Sequence, residues 1–222
     1  LMIASSVEIP DCHLKISDTD GNKIVSWITG DKDSIRINEK LSEMGYVNFD
    51  ANMDDDMSIK VKGLLHDKEY VLSETKPADG YTTATDISFM LKLRVDEAQY
   101  STQVFVKNGD EYIETNPNKV VMYDDTTKVE FSKTNITGEK EVPGCELEVT
   151  DKETGEVMEQ WTSTKYKHIV EGKYAVGKTY VFTEKRPADG FVTADNVEFT
   201  VSDTGEIQKV SMKDDTTKIE FS

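Results

Sequence analysis

One stretch of this chain occurs twice, and the duplication constrains the fold more than any other feature. Tyr70-Val-Leu-Ser-Glu74-Thr-Lys-Pro-Ala-Asp-Gly-Tyr81 returns as Tyr180-Val-Phe-Thr-Glu184-Lys-Arg-Pro-Ala-Asp-Gly-Phe191. Each copy reads as a short strand closing on a glutamate, then a Pro-Ala-Asp-Gly turn and an aromatic. Further landmarks pair off in the same order: Glu8-Ile-Pro-Asp-Cys12 with Glu141-Val-Pro-Gly-Cys145, Trp27 with Trp161, and Val120-Val-Met-Tyr-Asp124 with Val210-Ser-Met-Lys-Asp214. Internal repetition on this scale predicts two domains, each long enough to bury a core. The boundaries read as residues 1–127 and 128–222.

Both copies are patterned as strands. In the second, Val129, Phe131 and Lys133 alternate with Glu130 and Ser132, and Leu147 and Val149 alternate with glutamates, which is the period of a β-strand. Short strands separated by Gly, Pro and Asp turns predict an all-β, antiparallel sandwich. The first copy is longer in two places. Between Trp27 and Glu74, Ile35, Ile37, Leu41 and Met44 lie near helical spacing and predict a short helix within 34–46. Between Phe89 and Val120, Val104-Phe-Val106, Asn108-Gly109 and Tyr112-Ile113 predict an added hairpin. The segment Asp124-Asp-Thr-Thr-Lys-Val-Glu-Phe-Ser132 returns as Asp214-Asp-Thr-Thr-Lys-Ile-Glu-Phe-Ser222. The expectation is therefore a fragment whose native chain runs on into a third repeat.

Composition removes several functional classes. With 26 Lys and Arg against 43 Asp and Glu the net charge is -17, a field that repels nucleic-acid phosphates. No apolar run approaches the roughly 20 residues that span a bilayer. No basic segment followed by an apolar stretch and a small-residue cleavage site opens these residues, so any targeting segment is expected outside them. Cys12 and Cys145 occupy equivalent places in separate domains, so they are expected as small buried side chains rather than a disulfide. His13, His66 and His168 are scattered and suggest no metal cage or catalytic triad. No cofactor or metal is expected. Asp18-Thr-Asp-Gly-Asn22 resembles the start of a calcium loop, but a hairpin turn is the favoured reading. Asp54, Asp55 and Asp56 read as a solvated loop tip, and Trp27 and Trp161 as core aromatics.

A first strand ending in lysine, the Pro-Gly-Cys element, the Tyr-x-x-x-Glu-x-x-Pro-x-Gly-aromatic element and a last strand ending in Asp resemble the B-type repeats of Gram-positive collagen-binding adhesins and pilins, the CnaB or SpaA-like domains. The resemblance spans residues 128–222 almost fully and 1–127 with two insertions. It implies immunoglobulin-like sandwiches in which a first-strand lysine and a last-strand Asn or Asp condense into an intramolecular isopeptide bond. By position it makes Lys133 the amine, Asp214 the acceptor and Glu184 the catalytic proton shuttle. Alternation agrees with the acceptor, since Val210, Met212 and Asp214 share one face while Asp215 points away. Burial among apolar side chains favours the neutral, nucleophilic form of a lysine. A protonated Glu184 would polarise the Asp214 carbonyl and carry a proton as water leaves. Packed strands supply the proximity that such a condensation lacks in solution.

In domain 1 the equivalents are Glu74 and Asp124, Asp124 being the candidate acceptor. Counting back from Glu8 places the partner lysine just ahead of Leu1. Two alternatives stay open: the native lysine lies outside the sequence, or this domain has no such bond. Lys15 is a poor substitute, because it alternates against Leu14 and Ile16. The resemblance implies an extracellular, cell-wall-anchored stalk segment of an adhesin or pilus-like protein, with anchor and signal peptide outside these residues. Its partners would be neighbouring repeats of the same chain. It would not be an enzyme in the sense of turnover, since the self-cross-linking happens once. The alternative is a ligand-binding module whose domain 1 insertions meet a host matrix protein or glycan.

Overall fold

Alternating patterning produces strands throughout, and no helix occurs among the described residues, 7–96 and 99–220 of this computed structural model. The chain divides into two units. Unit 1 takes residues 1–78 and 83–124, and unit 2 takes 79–82 and 125–222.

Unit 1 contains β1 (His13–Asp18), β2 (Lys23–Ile28), β3 (Asp31–Ile37), β4 (Asp50–Met53), β5 (Ile59–Lys62), β6 (Glu69–Lys76), β7 (Ile87–Asp96), β8 (Gln99–Asn108) and β9 (Glu111–Glu114). Seven of them form one sheet in the order β3-β2-β1-β6-β7-β8-β9, and β4 pairs with β5. Ile16, Val25, Trp27, Tyr70, Leu72 and Phe89 from the large sheet pack with Leu41, Tyr46, Ala51 and Met53 into one core. Trp27 is thus a core residue, as its pattern predicts. The expected hairpin is β8–β9, turning where Asn108 faces Glu111 and Gly109 takes a φ of +61°, a value that glycine reaches without steric cost.

The helix expected within 34–46 is not there. Ile35 and Ile37 belong to β3, with Val25 opposite Ile37 and Ser26 opposite Arg36. Pairing along β2 satisfies the backbone that a helix would have to satisfy internally, so tertiary context overrides a weak local period. Beyond β3, Asn38 organises turns: its Oδ1 accepts from the Lys40 N–H at 3.0 Å and its Nδ2 donates to the Lys23 carbonyl at 2.7 Å. Leu41 then enters the core from a turn. The Asp18–Asn22 segment is a hairpin turn in which Asp18 Oδ1 accepts from the Asp20 and Asn22 N–H groups at 3.1 and 2.9 Å.

Unit 2 contains β10 (Lys128–Asn135), β11 (Glu146–Asp151), β12 (Val157–Thr162), β13 (His168–Glu171), β14 (Thr179–Arg186), β15 (Val197–Thr200) and β16 (Ile207–Asp214). It is a two-layer sandwich of a three-stranded sheet, β13-β10-β16, and a four-stranded sheet, β12-β11-β14-β15. First and last strands, β10 and β16, lie parallel, with Phe131 opposite Val210 and Lys133 opposite Met212. Val129, Phe131, Val210 and Met212 of one layer meet Leu147, Val149, Tyr180, Phe182 and Phe199 of the other. Phe131 is the hub, with ring centroids 5.1 Å from Phe182 and 5.4 Å from both Trp161 and Phe199. Trp161 is only partly buried and packs against this core.

Candidate functional site

Three strands of unit 2 each send an ionisable side chain to one point in its interior. On β10 the inward series Val129, Phe131 ends in Lys133; on β16 the series Val210, Met212 ends in Asp214; on β14 the series Tyr180, Phe182 ends in Glu184. Lys133, Asp214 and Glu184 are 2%, 1% and 4% exposed. Lys and Asp come from one sheet and Glu from the other, so the cluster bridges the two layers. Glu184 sits opposite Leu147 on β11, just past an irregularity in the register.

The contacts are direct. The Lys133 Nζ donates to Asp214 Oδ1 and lies 3.0 Å from Glu184 Oε1. Glu184 Oε2 accepts from the Ala194 N–H at 2.8 Å. The Cys145 Sγ is 3.7 Å from Asp214 Oδ2. Burial pushes the Asp214 carboxyl up, and the nearby Glu184 charge adds to that, despite the opposing pull of Lys133. Burial also acts upward on Glu184, but the Ala194 N–H and Lys133 outweigh it and hold this carboxyl below its ordinary value. Of the two acids, Asp214 is thus shifted toward its protonated form and Glu184 toward its ionised form. One ammonium, one carboxylate and one neutral acid would make the buried set charge-neutral, the arrangement that burial favours.

Unit 1 carries the same half-site. Glu74 lies opposite Leu14, as Glu184 lies opposite Leu147, again after a register irregularity. Glu74 Oε2 accepts from the Ala84 N–H at 2.7 Å, and Cys12 Sγ is 3.6 Å from Asp124 Oδ2. Burial raises the Asp124 carboxyl above its ordinary value, the Cys12 thiol opposing it. Lys15 pairs with Ser26 and Ser73, one residue out of phase with Leu14.

Sequence reasoning missed two members of the site. The backbone N–H groups of Ala84 and Ala194 orient the glutamates, and nothing in a residue name announces a backbone donor. The thiols of Cys12 and Cys145 are free and buried, and each touches its unit's aspartate, Asp124 or Asp214. Their signal was present, since both occupy the same place in repeats that also share Glu and Asp. Burial pushes the Cys145 thiol up to about 11 and the Cys12 thiol to about 12, so both stay protonated and inert as nucleophiles.

A two-layer β sandwich with a buried lysine–aspartate–glutamate set joining first strand, last strand and opposite sheet defines the class of domain. Residues 127–216 match the model of the SpaA family, described as a prealbumin-like fold domain. Over that stretch the chain is similar to SpaA domains. Among curated protein sequences, none matches. Among solved structures, the chain is similar to the shaft pilin SpaA from Lactobacillus rhamnosus GG, at 12% identity and a TM-score of 0.36 over 96% of this chain and 90% of that one. The C-terminal fragment of the pilus adhesin SpaC from the same organism is similar at 11% identity and a TM-score of 0.40, over 96% and 91%. The Bacillus anthracis TIE protein is similar at 15% identity and a TM-score of 0.44; 96% of this chain is covered, which spans only 32% of that protein.

Proposed function

We propose that the chain is a structural segment of a cell-surface adhesin or pilus-like protein of a Gram-positive bacterium, and that unit 2 locks itself with a Lys133–Asp214 isopeptide bond. The observation that carries this reading is the Lys133 Nζ seated between Asp214 Oδ1 and Glu184 Oε1 inside the core. The charge-neutral set supplies what the condensation needs. Lys133 passes a proton to the Glu184 carboxylate, which leaves three neutral groups. The amine then attacks the carbonyl carbon of the Asp214 acid, one aspartate oxygen departs as water, and Glu184 moves the protons. Ammonium, acid and carboxylate thus become amide, water and a protonated Glu184. Fixed strands replace the entropy cost of bringing amine and acid together.

The reaction happens once per molecule, so it is maturation and not turnover. The role is mechanical: the bond ties first strand to last, the two through which tension enters and leaves a tandem repeat. The partners in this reading are neighbouring repeats, and the location is the outside of the cell, anchored to the wall. Intact mass spectrometry tests it. The purified chain should be one water lighter than its sequence, and Lys133→Ala should carry its full calculated mass; a wild-type chain of full mass would sink the reading.

One observation favours a second reading, a module that binds a host protein or glycan through unit 1. Leu93, Val95 and Tyr100 are 48%, 61% and 73% exposed on one face of the β7–β8 pair, where Val95 lies opposite Tyr100. Replacing the three by Ser should abolish binding to matrix proteins under this reading and change nothing under the structural one.

A further inference from the structure

We propose that Glu141 is a positioning residue for the Lys133–Asp214 condensation: its carboxylate grips the backbone of Lys133 and so keeps the buried amine between the two acids. The inference rests on the cross-linking chemistry proposed for unit 2 and adds to it a residue outside the buried lysine, aspartate and glutamate set.

The lysine stands where its strand loses support on one side. β10 pairs with β16 along its whole length, from Lys128 opposite Ile207 to Asn135 opposite Asp214. On the other edge β13 covers only Lys128 to Phe131, where it stops at His168. Residues 132–135 therefore have a full strand on one edge only, and segments with few neighbours open most readily. Lys133 lies in that stretch.

The chain closes the open edge with its own next turn. After β10 it reverses through 136–140, where Asn135 Oδ1 accepts from the Glu139 and Lys140 N–H groups at 3.1 and 3.3 Å and Gly138 takes a φ of +80°. Glu141 then comes to lie opposite Thr134 in an isolated β-bridge. Its Oε2 accepts from the Lys133 N–H at 2.9 Å and its Oε1 accepts from the Ser132 hydroxyl. The Val142 N–H donates to the Lys133 carbonyl at 2.7 Å. Two adjacent residues thus hold both backbone groups of the lysine, one of them through a carboxylate, a stronger acceptor than a neutral carbonyl. Glu141 opens the Glu-Val-Pro-Gly-Cys145 element of the repeat, whose cysteine reaches Asp214. One short element therefore touches the amine's strand at one end and the acid at the other.

The grip matters because the amine sits at the tip of a flexible four-carbon stem. With the root of that stem fixed, Nζ stays in reach of the Asp214 carboxyl; a displacement of about 1 Å can slow such a reaction about a hundredfold. These contacts of Glu141 are to the strand and not to the reacting atoms, so it acts through Lys133. The atoms of the condensation are unchanged: the amine and the Asp214 acid join, one water leaves, and Glu141 gains or loses nothing.

The experiment follows the full chain from synthesis. Cell-free translation is stopped after a short pulse, samples are quenched in acid and weighed intact, and protease resistance in parallel samples gives the folded fraction. Rates of water loss are then compared per folded chain. Glu141→Ala should be slower than wild type by about tenfold or more. Glu141→Gln keeps an acceptor oxygen at the same reach and should restore most of the rate, whereas Glu141→Asp keeps the charge but is one methylene short and should stay slow. That order separates grip from charge, and it can be read from the Gln and Asp chains alone if the Ala chain does not fold. Equal rates per folded chain, or a slow Gln chain beside a fast Asp chain, overturn this inference alone. A wild type that folds and never loses water sinks it together with the unit 2 reading.

Discussion

A buried ammonium is stable only where carboxyl groups replace its water, and Lys133 has two of them. Their opposite shifts set the pH window for the proposed bond. Asp214 must be protonated to lose its oxygen as water, which holds below its raised value; Glu184 must be ionised to take the lysine proton, which holds above its lowered value. Water loss during refolding should therefore slow as pH rises through the first and as pH falls through the second, a profile that time-resolved mass spectrometry can record. Glu184→Gln keeps the shape and the Ala194 contact but removes the proton acceptor, so the same assay should slow by a factor of roughly a hundred or more. In unit 1, burial pushes the Asp18 carboxyl up, but Asn22 and Lys68 outweigh it and hold it below its ordinary value. A lowered carboxyl stabilises above its unfolded value and loses that contribution as pH falls through the folded one. Asp18→Ala should cost about 1–3 kcal/mol at neutral pH and flatten the acid limb of urea midpoint against pH. These residues were legible as strand-end acids and a lysine. The direction in which each acid is shifted was not, because it depends on the Ala194 N–H, brought close by the chain's path after β14.

At the scale of elements, the repeated stretch became β6 and β14, as its reading as a short strand predicts. β10 does two jobs: it places Phe131 at the centre of the aromatic cluster and Lys133 at the carboxyl pair. Phe131→Ala should cost about 3–5 kcal/mol in denaturant unfolding of unit 2 and delay water loss, since the same strand carries the amine. The stretch expected as a helix shows the limit of local pattern. Ile35 and Ile37 are compatible with either period, and β2 decided between them by offering its edge. Gly63 marks a comparable constraint, with φ +84° and a Cβ position only 2.8 Å from the Phe49 Cα. Gly63→Ala must therefore strain or shift the backbone, and should lower the unit 1 melting temperature measured by calorimetry.

On the scale of the whole molecule, the proposed bond changes how the chain bears load. Lys133 and Asp214 are 81 residues apart, and closing a loop of that length stabilises a fold by about 4–5 kcal/mol in the chain-entropy estimate. Under force the enclosed residues should not extend. Single-molecule pulling on the wild type should lack the roughly 280 Å of contour length those residues would release, and Lys133→Ala should restore it. The sequence alone determined two β domains, because duplication and period-two alternation are local properties that survive without knowledge of partners. It also marked Lys133 and Asp214 as inward-facing, for the same reason. Only the tertiary structure decided that β10, β14 and β16 converge across two sheets and that Asp214 and Glu184 are shifted in opposite directions. Those outcomes follow from burial and charge, which belong to the strands that come to face one another and not to any stretch read by itself.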